Sequence, residues 1–255
     1  MKNILLSILI LVLSMTFLRA QSAEEIVKKA YEKNEGNSQY AEMTMKIVRP
    51  KWQRELKFKY ASLGKDYSLV LITSPAKEKG QTFLLVDNEM WMWNPSISRT
   101  VKLGPSMMSQ GWMNSDYSND ELMNGGSIIT DYDKRIIGSE TIDGKACYKI
   151  VLTPKEGKNI VWGKQILWIT KDSYLILKNE FYDEEDYLVK THLGSEIKTL
   201  DGREIPTQFD IISEDNPDYK TIVIINDIRF DIKVSKSFFS QQNMRKGMAI
   251  RFPEN

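Results

Sequence analysis

From residue 41 to 49 the side chains alternate, with Ala41, Met43, Met45 and Ile47 on one face and Glu42, Thr44, Lys46 and Val48 on the other. The next run repeats the pattern: Trp52, Leu56, Phe58 and Tyr60 oppose Gln53, Glu55, Lys57 and Lys59, with Arg54 as the exception. A period of two with one polar face predicts antiparallel strands that are wet on one side. Turn signals break the runs at Leu63-Gly64-Lys65-Asp66, Asp87-Asn88, Asp143-Gly144 and Asp201-Gly202. The two Asp-Gly pairs are strong hairpin signals, because both residues tolerate a positive φ. Counting alternating runs gives about eleven to thirteen strands. They fall near 39–49, 53–63, 66–73, 82–87, 89–94, 97–103, 129–141, 145–153, 161–170, 174–182, 186–199, 203–213 and 219–230.

Helical patterning is scarce. Ser22-Ala23-Glu24-Glu25 has capping-box spacing, Ile26, Val27, Ala30 and Tyr31 then share a face, and Gly36 ends the segment. Ser118-Asn119-Asp120-Glu121 repeats the box before Leu122 and Met123, and a late helix is expected after Ser235, burying Phe238 and Phe239. The predicted fold is therefore mainly β: one curled antiparallel sheet, a half-open barrel, covered by one to three short helices. So many strands cannot stay flat, because twist accumulates from strand to strand. A curled sheet with few helices over its hollow is a container.

Ahead of this pattern, Lys2, the apolar run from Ile4 to Val12 and Leu18-Arg19-Ala20 fit a secretory leader over 1–20. A single domain over 21–255 is expected to follow it. Without 1–20 the chain loses Lys2 and Arg19 and no acid, leaving 33 basic against 34 acidic residues. That balance offers no basic stripe for nucleic acid. Cys147 is the lone cysteine and reads as a small buried hydrophobe; His192 is the lone histidine and is expected to face solvent. One of each does not make a conventional zinc site. Asp183-Glu184-Glu185-Asp186 reads as a solvated hairpin tip, and Gly125-Gly126 as a helix stop rather than a phosphate loop. The expectation is a binding protein, not an enzyme, without metal or cofactor.

One stretch stands out in composition. Residues 90–123 hold six of the twelve methionines (Met90, Met92, Met107, Met108, Met113, Met123) and three of the six tryptophans (Trp91, Trp93, Trp112). Its centre, from Gly104 to Asn119, is rich in Gly, Ser, Pro and Asn and predicts a loop. Loops run over the surface, so large apolar side chains there either fill an open core or meet a partner. Methionine suits variable apolar partners. Trp91 and Trp93 share a strand face and read as wall or core. Met107, Met108, Trp112 and Met113 are the lid candidates, with Met108 and Trp112 expected at the cavity or its mouth. Met43, Met45, Trp52, Phe58, Phe83 and Met123 complete the set of candidate cavity residues.

The central block also carries a pattern. Ser74-Pro75-Ala76-Lys77-Glu78-Lys79-Gly80-Gln81-Thr82-Phe83-Leu84-Leu85 is followed by Met90-Trp91-Met92-Trp93-Asn94-Pro95, then Arg99, then Ser115-Asp116-Tyr117-Ser118-Asn119-Asp120-Glu121-Leu122. This resembles the outer-membrane lipoprotein-sorting family, the relatives of the periplasmic carrier LolA. Asp201-Gly202-Arg203-Glu204-Ile205-Pro206 and Phe238-Phe239 fit its C-terminal strands. The resemblance implies a lid over an apolar cavity that takes acyl chains, and a monomeric periplasmic carrier moving lipoproteins or lipids toward the outer membrane. It implies partners in an inner-membrane transporter and an outer-membrane acceptor. It also implies a strand arginine that holds the lid shut, for which Arg49 and Arg54 are both candidates. The alternative is a non-transporting envelope protein of the same fold, a structural or regulatory module on a membrane complex.

Overall fold

The computed structural model describes residues 21–158 and 160–253, and for 123–126 the backbone alone. The leader assigned to 1–20 and the side chain of Met123 lie outside the described residues.

Alternation gives the strands where it predicts them. They are β1 (Ser38–Arg49), β2 (Trp52–Leu63), β3 (Tyr67–Ser74), β4 (Thr82–Val86), β5 (Glu89–Asn94), β6 (Arg99–Lys102) and β7 (Tyr132–Ile142). The rest are β8 (Lys145–Pro154), β9 (Lys164–Thr170), β10 (Ile176–Tyr182), β11 (Leu188–Leu200), β12 (Arg203–Ser213) and β13 (Lys220–Phe230). The helices are α1 (Ala23–Glu35), α2 (Asn119–Asn124) and α3 (Gln241–Met244). Both Asp-Gly turns have the predicted backbone: φ is 47° and 75° at Asp143-Gly144, and 46° and 75° at Asp201-Gly202.

The described strands form one antiparallel sheet in the order β6-β5-β4-β3-β2-β1-β13-β12-β11-β10-β9-β8-β7. This is two meanders joined back to back through β1 and β13. The first runs outward from β1 to one edge, β6. The second starts at the far edge, β7, and returns to pair with β1. Edges β6 and β7 do not pair, so the barrel is open. The link between them, residues 103–131, must therefore cross from one edge to the other, and it does so over the hollow of the sheet.

Each face has its own cover. On the inner face of the second meander, Ile26, Val27 and Ala30 of α1 pack on Tyr132, Ile150, Leu152, Leu167 and Ile169. The helix begins with the predicted capping box, Ser22 and Glu25 each accepting from the other's backbone N–H. On the inner face of the first meander, Met108 and Trp112 of the link pack on Met45, Phe58, Val70, Ile72, Phe83 and Met90. The outer face of β2–β5 is covered by the C-terminal segment, where Phe239, Met244 and Ile250 lie against Ala61, Leu69 and Leu84. The expected late helix is split: a short 3-10 turn, Lys236–Phe238, precedes the one-turn α3, and Phe239 is buried while Phe238 is half-buried.

Candidate functional site

Between α1, the link and the inner face lies a cavity of about 320 Å³. Its floor comes from the strands at the join of the two meanders: Met43 and Met45 of β1, Phe58 and Tyr60 of β2, His192 of β11, Phe209 and Ile211 of β12, and Val223 and Ile225 of β13. Tyr31 and Glu35 of α1 close one side, and Trp112, Tyr117, Glu121 and Leu122 of the link close the other. The wall is mainly apolar, and Glu35 and Glu121 are its two carboxyl groups.

The link covers the cavity as a lid would and is tied to the rim by side chains. Arg49, at the end of β1, donates from Nη1 to Asp116 Oδ2 at 3.0 Å and from Nη2 to Asp116 Oδ1 at 3.1 Å. Both side chains are about nine-tenths buried. Arg49 Nη2 also donates to the Asn114 carbonyl (3.2 Å), and its guanidinium lies 4.6 Å from the Tyr219 ring. Thr221 of β13 donates from Oγ1 to Asp116 Oδ2 at 2.7 Å and accepts from the Asp116 N–H at 2.9 Å. A second fastening meets the lid one turn later. Lys190 donates to the Asp116 carbonyl (2.7 Å) and to Glu121 Oε2 (2.9 Å), and His192 Nε2 stands 2.9 Å from Glu121 Oε1. The second predicted capping box forms here too: Ser118 Oγ accepts from the Glu121 N–H, and Glu121 Oε2 accepts from the Ser118 N–H. Burial pushes the Glu121 carboxyl up, but Lys190 and His192 outweigh it and hold it down at about 2.

The lid tip is strained. Met113 and Asn114 hold φ at 54° and 63°, the left-handed region that side chains disfavour. Arg54 donates to the Met113 carbonyl (3.4 Å) while pairing with Glu78 (3.2 Å), so both candidate latch arginines grip this turn. They differ in partner, since Arg49 is bidentate to a lid carboxylate and Arg54 meets only a lid carbonyl. Gly111 is required because a Cβ there would lie 2.2 Å from the Ser115 carbonyl oxygen.

The predicted residues separate by strand parity. Met43, Met45, Phe58 and Trp112 line the cavity. Phe83 and Met108 are buried in the neighbouring cluster, with Met107 and Met113 packed against it. Trp91 and Trp93 point to the outer face and lie under the C-terminal segment, because Met90 and Met92 take the inner positions of β5. Trp52 is 46% exposed at the β1–β2 turn and is absent from the cavity wall. His192 is a correction: expected in solvent, it lies inside, 4.5 Å ring to ring from Phe181 and facing Glu121. The polar positions of β11 turn inward here because the lid supplies a carboxylate to meet them. Glu35 and Tyr117 are cavity residues that the pattern does not single out; Tyr31 and Tyr60 lie on the predicted apolar faces but are outside the candidate set. Among the described residues no group of three or more His, Cys, Asp or Glu side chains is placed to hold a metal ion.

A family model described as "-like: Uncharacterized protein" matches residues 64–246. A crystal structure of a DUF1329 family protein from Desulfovibrio piger superposes with a TM-score of 0.78 at 28% identity, covering 87% of this chain and 97% of that one. The chain belongs to the family that the matching family model describes, and its fold is LolA-like. Two further structures share the fold. A putative outer-membrane lipoprotein-sorting protein domain from Vibrio parahaemolyticus has a TM-score of 0.77 at 22% identity, over 88% of this chain and 98% of that one. A LolA superfamily protein from Nitrosomonas europaea has a TM-score of 0.76 at 22% identity, over 88% and 99%. No curated protein matches the chain.

Proposed function

We propose that this protein is a periplasmic carrier that shelters an acyl chain of a lipoprotein or lipid on its way toward the outer membrane. The observation that carries this reading is the apolar cavity of about 320 Å³ beneath a lid fastened at its edge. Each methylene moved from water into such a wall contributes about 0.8 kcal/mol. One long chain therefore supplies enough free energy for capture, and release is the harder step. The volume lies at the low end for ligand pockets, about 300 to 1,000 Å³. A second or third chain would require the lid to move. Among the described residues no helix is long and apolar enough to cross a membrane, which is compatible with a carrier that travels between two. The transporter that loads it and the acceptor that unloads it belong to this proposal.

A second reading, a non-transporting module on a membrane complex, draws on the exposed side chains at strand turns, Trp52 and Tyr187, which offer docking points. One experiment separates the two. A fluorescent fatty alcohol, neutral at its polar end, is titrated into the parent and into Ile225→Asp, which puts a charge on the cavity floor. The carrier reading expects saturable binding to the parent, weakened at least about tenfold by the buried charge. Absence of saturable binding, with no lipid found by native mass spectrometry on protein purified from the envelope, would leave the module reading in its place.

A further inference from the structure

The two polar ends of the cavity are not equivalent. At the lid end, the Glu121 carboxylate is met by Lys190 and His192. At the other end, Glu35 has no such partner. It is the last residue of α1, it lines the cavity, and its side chain accepts one hydrogen bond, from Gln39 Nε2. Among the described residues no lysine, arginine or histidine pairs with it. The nearby cations are engaged elsewhere. Lys33 donates to the Ser173 carbonyl (2.8 Å), and Arg203 donates to the Glu32 carbonyl (2.8 Å) and pairs with Asp231. Lys65 lies at the mouth, 3.8 Å from Asp66.

Around Glu35 the cavity wall is aromatic. Tyr31, Tyr60 and Tyr117 all line it. Burial above all, and the Glu35 charge in addition, lift the phenols of Tyr31 and Tyr60 above their ordinary range. Tyr117 responds to burial, then to Glu121, then to Glu35. The group that would relieve this site is a cation: it pairs with the carboxylate, lies among aromatic rings that favour positive charge, and sits at the negative end of a helix. An anion would meet repulsion from all three. Beyond the polar group, Met43, Ile205 and Ile228 continue the wall as apolar surface.

We infer that the cavity selects an amphiphile whose polar end is a protonated amine, seated against Glu35 and its tyrosines with the hydrocarbon along the inner face of β1 and β13. This rests on the carrier reading and names the ligand class of the same site. Gln39 of β1 touches Glu35, and Tyr31, Tyr60 and Tyr117 feel its charge; Lys65 of the β2–β3 turn shares the cavity wall, while Asp66 acts on Tyr31 and Glu121 on Tyr117.

The test uses decylamine, decanol and decanoate, which share a chain and differ at the end. Each is titrated calorimetrically into the full chain at pH 6 and pH 8, for the parent and for Glu35→Gln. At pH 8 the parent should bind decylamine about tenfold more tightly than decanol, with decanoate weakest, as a charge-assisted contact requires. Burial holds the Glu35 carboxyl up at about 7, so amine affinity should rise about tenfold from pH 6 to pH 8 as the carboxyl ionises. Glu35→Gln should remove that rise and level amine with alcohol. Equal binding of amine and alcohol by the parent at pH 8, or undiminished amine binding by Glu35→Gln, overturns the inference and leaves the carrier reading intact. Failure of all three ligands to bind overturns both. The comparison of ends in the parent decides the question even if the variant does not fold.

Discussion

Trp112 meets Phe58 and Phe83 edge-on, each pair of ring centroids 5.4 Å apart, and is 1% exposed. It anchors the lid by packing alone, and its indole Nε1 has no hydrogen-bond partner among the described residues. Trp112→Ala should therefore cost about 3–5 kcal/mol of unfolding free energy, read from urea denaturation. The type of this residue was legible in the sequence: a tryptophan in a Gly- and Ser-rich loop needs an apolar site. Its partners were not, because Phe58 and Phe83 lie on strands of the far-reaching first meander. Met107 and Met108 show the same limit. They are adjacent in the loop, yet Met108 is buried and Met107 is only half-buried, a difference set by the 3-10 turn at Pro105–Met107.

At the scale of elements, the lid is a crossover held to the rim by its charges. A buried carboxylate that loses its cation keeps its desolvation penalty, and removing one partner of such a pair typically costs about 3–5 kcal/mol. Arg49→Ala should detach the 111–122 segment, seen as faster amide hydrogen exchange there while β8 and β9 stay protected. Arg49→Lys keeps the charge but loses the two-pronged geometry, so its exchange should fall between parent and Ala. Slowed or unchanged exchange in Arg49→Ala would remove the latch role. Sequence alone left Arg49 and Arg54 equal, since both sit near the β1–β2 turn. They differ in partner, Asp116 for Arg49 and Glu78 for Arg54, and both contacts are long-range. Strand boundaries were more legible, because alternation and positive-φ turns are local properties. The missed inward turn of Lys190 and His192 is also an element-scale matter. A polar strand face reads as wet unless another element brings it a charge.

For the whole molecule, two carboxyls set opposing pH trends. Glu121 is held down, so its contribution is complete above the unfolded carboxylate range, near 4.5, and is lost as pH falls toward 2. Glu35 is pushed up to about 7, chiefly by burial. Between about 4.5 and 7 the folded chain then holds a proton there that the unfolded chain has released, so stability declines as pH rises through that window. Thermal unfolding without ligand should show greatest stability near pH 5. Glu35→Gln should flatten the decline between pH 5 and pH 8 and leave the acid limb, to which Glu121 contributes. An unchanged slope above pH 5 would mean that Glu35 is solvated in the folded chain.

The sequence by itself determined where the strands run, the hairpin turns, the capping boxes at Ser22 and Ser118, and a loop too apolar to lie in water. All of these follow from interactions within a few residues. Only the tertiary structure decided what the loop covers, which face is inside, and which charges meet. The reason is topological. The first meander ends at one edge of the sheet and the second begins at the other, so the chain must cross the hollow. That crossing turns a composition rich in Met and Trp into a cover for the inner face, while the parity of β5 puts Trp91 and Trp93 on the outer one.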